Sequence, residues 1–222
     1  CSSRCVVKLD QDKKKAKLKR SIRKEKLLLA SIAPMNLFKD SFNTPILLTN
    51  EYAYWNPNDP KSIKNDNWEM TSGSLLIANG RGYTGKIDNK APDPKSLIAT
   101  NSAVFRATTK KDFLDCAVSF NLTPVAFGQT STTPAVAWDG VHIFLRYQSQ
   151  YDLYYASVLR RDGKIVIKKK IKGGTSNNGT FYSLSPEITI PAIPLKVSTK
   201  VKATIKTMPD KRVRIQIIMG NI

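Results

Sequence analysis

With 222 residues, 41% of them hydrophobic, and a formal charge of +19, the chain can bury one sizeable core or two small ones, and its basicity points to polyanionic partners. No run of about 18 apolar residues exists to cross a membrane. Three cysteines make neither a disulfide framework nor a paired metal motif, and the single histidine leaves little material for a zinc site or a Ser-His-Asp triad.

Residues 1–34 hold much of the charge. Residues 1–26 carry eleven basic and three acidic side chains, a net +8, which leaves +11 for the rest of the chain. Residues 13–29 contain helix formers but no clean apolar stripe, so the segment reads as a basic tail or linker closed by Pro34. Cys1-Ser2-Ser3 has the look of a processed lipoprotein terminus, with a lipid anchor on Cys1.

From residue 35 onward the pattern predicts strands. Residues 35–50 form the first, carrying Leu37, Phe38 and Phe42. An aromatic run over 51–57, with Trp55, leads into a Pro/Asn/Asp loop that lasts to Asp66. Residues 68–77 read as strand, Ser-Gly turn and strand. The glycine-rich loop 79–85, with Tyr83, lacks the following helix and Lys-Ser/Thr pair of a phosphate cradle. Residues 102–108 and 112–121 are consecutive strands, with Cys116 as a small buried hydrophobe. Residues 122–134 form a long exposed loop, a usual place for binding specificity in β proteins.

Residues 138–171 are the most informative. Val141, Ile143, Leu145 and Tyr147 share one face of a strand, and His142, Phe144, Arg146 and Gln148 the other. In the next strand Leu153, Tyr155, Ser157 and Leu159 alternate with Tyr154, Ala156, Val158 and Arg160. Asp162-Gly163 marks a tight hairpin, since glycine accepts positive φ at no steric cost. A third strand from Lys164 turns basic at Lys168-Lys169-Lys170. Residues 173–185 are a polar loop, and 195–207 and 211–219 are the last two strands. About ten short strands and no helical period predict an all-β fold, an antiparallel two-sheet jelly-roll sandwich over 35–222.

Phe38-Lys39-Asp40-Ser41-Phe42, the run from Trp68 to Leu75, the hairpin array and the closing Lys200–Thr207 and Arg212–Asn221 segments together resemble the concanavalin A-like lectin/glucanase superfamily. The likeness is greatest to laminin G-like jelly rolls of secreted bacterial proteins, over residues 37–222. It implies two curved sheets whose concave face holds a saccharide, and an extracellular or cell-surface location. The chain departs from the catalytic members. Retaining glycosidases of this kind place two carboxyls about 5 Å apart on one strand, whereas Glu51, Glu69 and Glu187 are isolated. The Gln-Ile-His strand of the lyases is echoed only by Val141-His142-Ile143. After Gly220-Asn221-Ile222 the family pattern continues into a final strand, so the domain is expected to lack its last one.

The expectation is a noncatalytic carbohydrate-binding or adhesion module for an acidic polysaccharide or glycoconjugate. Its ligand residues are Trp55, Tyr83, Trp138, His142, Phe144, Arg146, Tyr154 and Arg160, because rings stack on sugar C–H faces and guanidiniums bind hydroxyls and carboxylates. The alternative is a lyase or hydrolase acting on an acidic glycan, with Arg146 neutralising a uronate and His142 and Tyr154 or Tyr147 moving protons. Nucleic acid is the least favoured partner, because no recognition motif accompanies the charge. No cofactor is expected; Asp40 and Asn43 offer calcium ligands, but no dense acidic loop supports a site.

Overall fold

The computed structural model describes residues 38–43, 47–85, 104–131, 133–176, 178–189, 191 and 193–220. The basic segment 1–34, Cys1, the start of the expected first strand and Asn221-Ile222 lie outside these. Residues 41–222 form one compact unit. It is all-β and antiparallel, as the alternation requires, with a single helical turn among the described residues, α1 (Tyr52–Trp55). That turn occupies part of the aromatic run that leads into the Pro/Asn/Asp loop.

The core lies between two sheets. A three-stranded sheet has the order β14-β13-β6, from β6 (Cys116–Leu122), β13 (Thr199–Thr207) and β14 (Val213–Met219). Its period-2 pattern is clean. Val201, Ala203 and Ile205 of β13 are fully buried, flanked on the same face by Val118 and Phe120 and by Ile215 and Ile217. Cys116 joins them half-buried. The opposite face carries Lys200, Lys202, Lys206 and Arg214 in water. The partner sheet, order β11-β10-β8-β7, is built from β7 (Gly140–Ser149), β8 (Asp152–Arg160), β10 (Ile167–Ser176) and β11 (Gly179–Ser183). Ile143, Leu145, Val158 and Leu159 of this sheet share one hydrophobic cluster with Val201, Ala203, Ile205 and Met219 of the other. Burying each such side chain is worth about 1.5–3 kcal/mol, so this shared cluster is the main stabilising contact of the sandwich-like arrangement.

The Asp-Gly hairpin forms as expected. Gly163 sits at φ +70° and its amide donates to the Arg160 carbonyl at 3.0 Å. The chain then splits: β9 (Lys164–Ile165) pairs with β12 (Ile188–Thr189), and β10 begins opposite Ala156 of β8.

Several expectations change. Residues 173–185 are not a loop, because β10 runs to Ser176 and returns as β11, with Lys170 opposite Phe181. Gly173 and Gly174, at φ +96° and +114°, accommodate a register shift there, and strands exposed on both faces show no apolar alternation to read. Phe38 to Asn43 form no strand, and β1 (Leu47–Asn50) is short. The two strands around Gly73 join different sheets: β2 (Trp68–Ser72) pairs with β5 (Arg106–Thr109), and β3 (Ser74–Ala78) lies between β1 and β4 (Arg81–Tyr83).

The most consequential departure is at Arg146. Its φ is +46°, and the β7–β8 register slips between Leu145 and Ser149. This bulge inverts the side-chain alternation. Arg146 therefore turns to the end of the three-stranded sheet instead of joining His142 and Phe144. Its Nε donates to the Leu114 carbonyl at 2.8 Å, and its Nη2 donates to Asp115 Oδ1 and Thr207 Oγ1, each at 2.6 Å. Asp115 also accepts the Thr207 amide at 3.0 Å. That bond, with the Arg146 guanidinium, holds its carboxyl below the usual range.

Arg146→Ala is expected to cost about 2 kcal/mol, the loss of charge-assisted bonds that tie the two sheets. Arg161→Ala, whose contact with Asp139 is longer at 3.3 Å, is expected to cost less than about 1 kcal/mol. Arg146→Gly should be the milder of the two Arg146 changes by about 1 kcal/mol, because glycine tolerates the left-handed backbone. Urea midpoints check the order; equal losses at Arg146 and Arg161 would contradict the tie.

Candidate functional site

The eight residues expected to bind ligand fall in several separate places. Trp55 donates its indole N–H to the Thr71 carbonyl at 3.0 Å and packs edge-on against Tyr54. Tyr83 is exposed at the end of β4, and Trp138 stands 63% exposed just before β7. Arg160 is buried and gripped from two sides. It makes two bonds to Asp162, at 2.9 and 2.6 Å, and a longer one to Glu187 at 3.5 Å. Tyr154 lies opposite Leu145 and packs on the core cluster, with Lys169 Nζ 4.9 Å from its ring centre. It is on the other face from His142. The shared face expected for His142, Arg146 and Tyr154 is therefore not formed, since the bulge removes Arg146 and the cross-strand register removes Tyr154.

His142 is held at both nitrogens. Nε2 lies 3.1 Å from the Trp138 carbonyl and Nδ1 lies 3.0 Å from Ser157 Oγ. A carbonyl can only accept, so in the neutral ring Nε2 carries the hydrogen and Nδ1 accepts from the Ser157 hydroxyl. Burial pushes the imidazole below its usual pKa; the Trp138 carbonyl pulls the other way, and Arg160 adds to the lowering. Ser157 is itself fully buried, so this pair is a strand-to-strand fastener, not an exposed nucleophile and base.

What the fold does bring together is a row of rings and lysines on the outer face of the four-stranded sheet. Phe144 of β7 lies opposite Tyr155 of β8, and Tyr155 lies opposite Lys168 of β10. Tyr155 meets His142 edge-to-face at 5.3 Å and Phe181 of β11 at 5.8 Å. Phe144 stacks on Tyr147 at 5.7 Å, a contact that exists because the bulge moves Tyr147 to this face. Lys170 places its ammonium 5.0 Å from the Phe181 ring centre and 5.5 Å from that of Tyr151, and donates to the Gln150 carbonyl at 3.1 Å. Burial lowers its pKa, and Arg106 lowers it further.

The β5 end of this row is covered. Arg106 donates to Gln150 Oε1, Gln150 Nε2 donates to the Tyr151 hydroxyl at 2.7 Å, and burial pushes the Tyr147 phenol up against the opposing pull of Thr71 and Arg106. The β11 end is open, with Phe181 39% exposed. Tyr155, Phe181, Lys168 and Lys170 were not among the expected ligand residues. Reading 173–185 as a loop hid Phe181, and without the hairpin register Tyr154 and Tyr155 could not be told apart. Among the described residues no group of three or more His, Cys, Asp or Glu side chains is placed to hold a metal. No family model, curated protein or solved structure matches the chain.

The folded protein keeps its one imidazole neutral, whereas the unfolded chain takes up the proton near pH 6.5. The unfolded state then binds more protons, so stability is full above about pH 6.5 and falls as pH drops toward the depressed value. Urea midpoints at about pH 7.5 and 5.5 should show this loss, and His142→Gln should remove most of the difference. An imidazole resonance titrating at the ordinary value would contradict the assignment.

Proposed function

We propose that the chain is a noncatalytic carbohydrate-binding or cell-surface adhesion module that holds an acidic polysaccharide on the open outer face of β8, β10 and β11. One observation carries this reading: Tyr155 and Phe181 meet at 5.8 Å on the same face as the partly exposed Lys168, with the buried Lys170 ammonium backing the Phe181 ring. Aromatic faces suit the C–H surface of a sugar ring, and ammonium groups suit its carboxylate or sulfate. The reading is supported further by the outer face of the three-stranded sheet. There Lys200, Lys202, Lys206 and Arg214 have no carboxylate partner among the described residues, and Lys206 lies directly opposite Arg214. Like charges facing each other destabilise a sheet by a fraction of a kcal/mol, a cost that a bound polyanion offsets. That face bears no ring, so its role in the proposal is long-range attraction.

The lyase alternative is the weaker reading because its cation and its acid/base candidates stand on different faces. The architecture we propose is a jelly-roll sandwich of the concanavalin A-like kind, a reading supported by two antiparallel sheets around one core. A location outside the cell completes the proposal.

Titration with an alginate oligosaccharide at low salt is expected to give saturable binding that weakens steeply with ionic strength. Phe181→Ala should weaken it about five-fold, the loss of one ring contact of about 1 kcal/mol. Lys202→Ala with Lys206→Ala should weaken it chiefly at low salt. Equal affinity for a neutral glucan, or no binding to either polymer, would reject the proposal.

A further inference from the structure

A second site lies away from that sheet, in the cavity of about 230 Å³ between α1, the loop after it, β2 and the chain just past β5. Its chemistry comes from six side chains: Tyr54, Lys64, Asn65, Trp68, Glu69 and Lys110. Two of its walls are rings. Tyr54 is 45% exposed at the helical turn, and Trp68 is backed by Phe42 at 6.1 Å in a stacked arrangement. The floor is fixed by backbone. Asn65 Oδ1 accepts the amides of Asn67 and Trp68 at 2.9 and 3.0 Å, and the Lys110 amide donates to the Asn67 carbonyl at 2.9 Å. With its oxygen so engaged, Asn65 presents its NH₂ as a donor. Lys64 and Lys110 are exposed, and neither ammonium meets a carboxylate among the described residues.

We infer that this cavity binds a single sugar ring bearing one carboxylate, of the uronate class. Size sets the first limit, since the volume is below the roughly 300–1,000 Å³ typical of sites for drug-sized molecules. Charge sets the second. Two lysines against Glu69 leave a net +1, which a monoanion balances, whereas a phosphate dianion overfills it and makes no use of the rings. Chemistry sets the third: Tyr54 and Trp68 offer ring faces, Asn65 donates, and Glu69 accepts from hydroxyls, a combination that suits a polyol with an acid group. No residue of β7, β8, β10 or β11 lines this cavity, so it does not rest on the outer-face reading.

The test follows the three tryptophan indole N–H resonances of the full chain during titration with D-glucuronate, D-glucose and inorganic phosphate, with Trp68→Phe assigning the Trp68 signal. Glucuronate is expected to shift the Trp68 signal saturably in the millimolar range, glucose at least about ten-fold more weakly, and phosphate not at all. Lys64→Ala with Lys110→Ala should weaken glucuronate binding about ten-fold, while Phe181→Ala leaves it unchanged. Independently of any variant, raising salt to about 0.5 M should weaken glucuronate but not glucose. Equal response to glucuronate and glucose, saturable binding of phosphate, or full affinity in the double lysine variant would overturn the inference. Weakened polysaccharide binding in Phe181→Ala with glucuronate binding intact separates this site from the sheet face.

Discussion

The structure turns on one residue in a left-handed conformation. At Arg146 the backbone of β7 reverses its alternation, and everything C-terminal to it in that strand is sorted by that reversal. Before it, Ile143 and Leu145 go to the core while His142 and Phe144 go outward. After it, Tyr147 joins the outward set and stacks on Phe144. A positive φ at a non-glycine residue costs about 1–2 kcal/mol. Here the guanidinium offsets it, with bonds to Leu114, Asp115 and Thr207 that fasten the edge of one sheet to the end of the other. The arginine that most resembled a ligand-binding residue is thereby committed to architecture.

The same division of labour recurs among the other cations. Arg160 is buried between Asp162 and Glu187, and Lys164 and Lys168 reach the same Glu187 carboxylate. These charges stabilise the neighbourhood of the 160–164 turn. Two other sets of cations matter for recognition. Lys200, Lys202, Lys206 and Arg214 stand in water without rings, and Lys168, whose contact with Glu187 is long at 3.9 Å, stands beside Tyr155 with the buried Lys170 behind Phe181. A polyanion can be attracted by the first set, but only the second set offers the mixture of flat apolar surface and ammonium that a charged sugar needs.

The fold was readable wherever one face of a strand is dry. Residues 116–122, 199–207 and 213–219 alternate apolar and polar because they form one wall of the core, and the Asp162-Gly163 turn is written in its glycine. Sequence failed where burial does not discriminate. Strand β11 is exposed on both faces, Phe38 to Asn43 carry apolar residues but form no strand, and Gly73 hides a change of sheet. The candidate site suffered most, because it depends on register. Tyr154 and Tyr155 are neighbours in sequence and sit on opposite faces; only the pairing of Leu145 with Tyr154 decides which one shares a face with Lys168 and Phe181. No period-2 argument foresees a bulge at an arginine, a residue that seldom adopts positive φ.

The proposed function stands or falls on whether an acidic polysaccharide rests on the ring-and-lysine face of the four-stranded sheet. Amide chemical-shift mapping of the full chain with an oligo-uronate tests it most directly. The largest shifts are expected at Tyr155, Lys168, Lys170 and Phe181, with Tyr154, Val201 and Ile205 unmoved on the core side. Shifts confined to Lys200, Lys202, Lys206 and Arg214, or none anywhere on β8, β10 and β11, would contradict it.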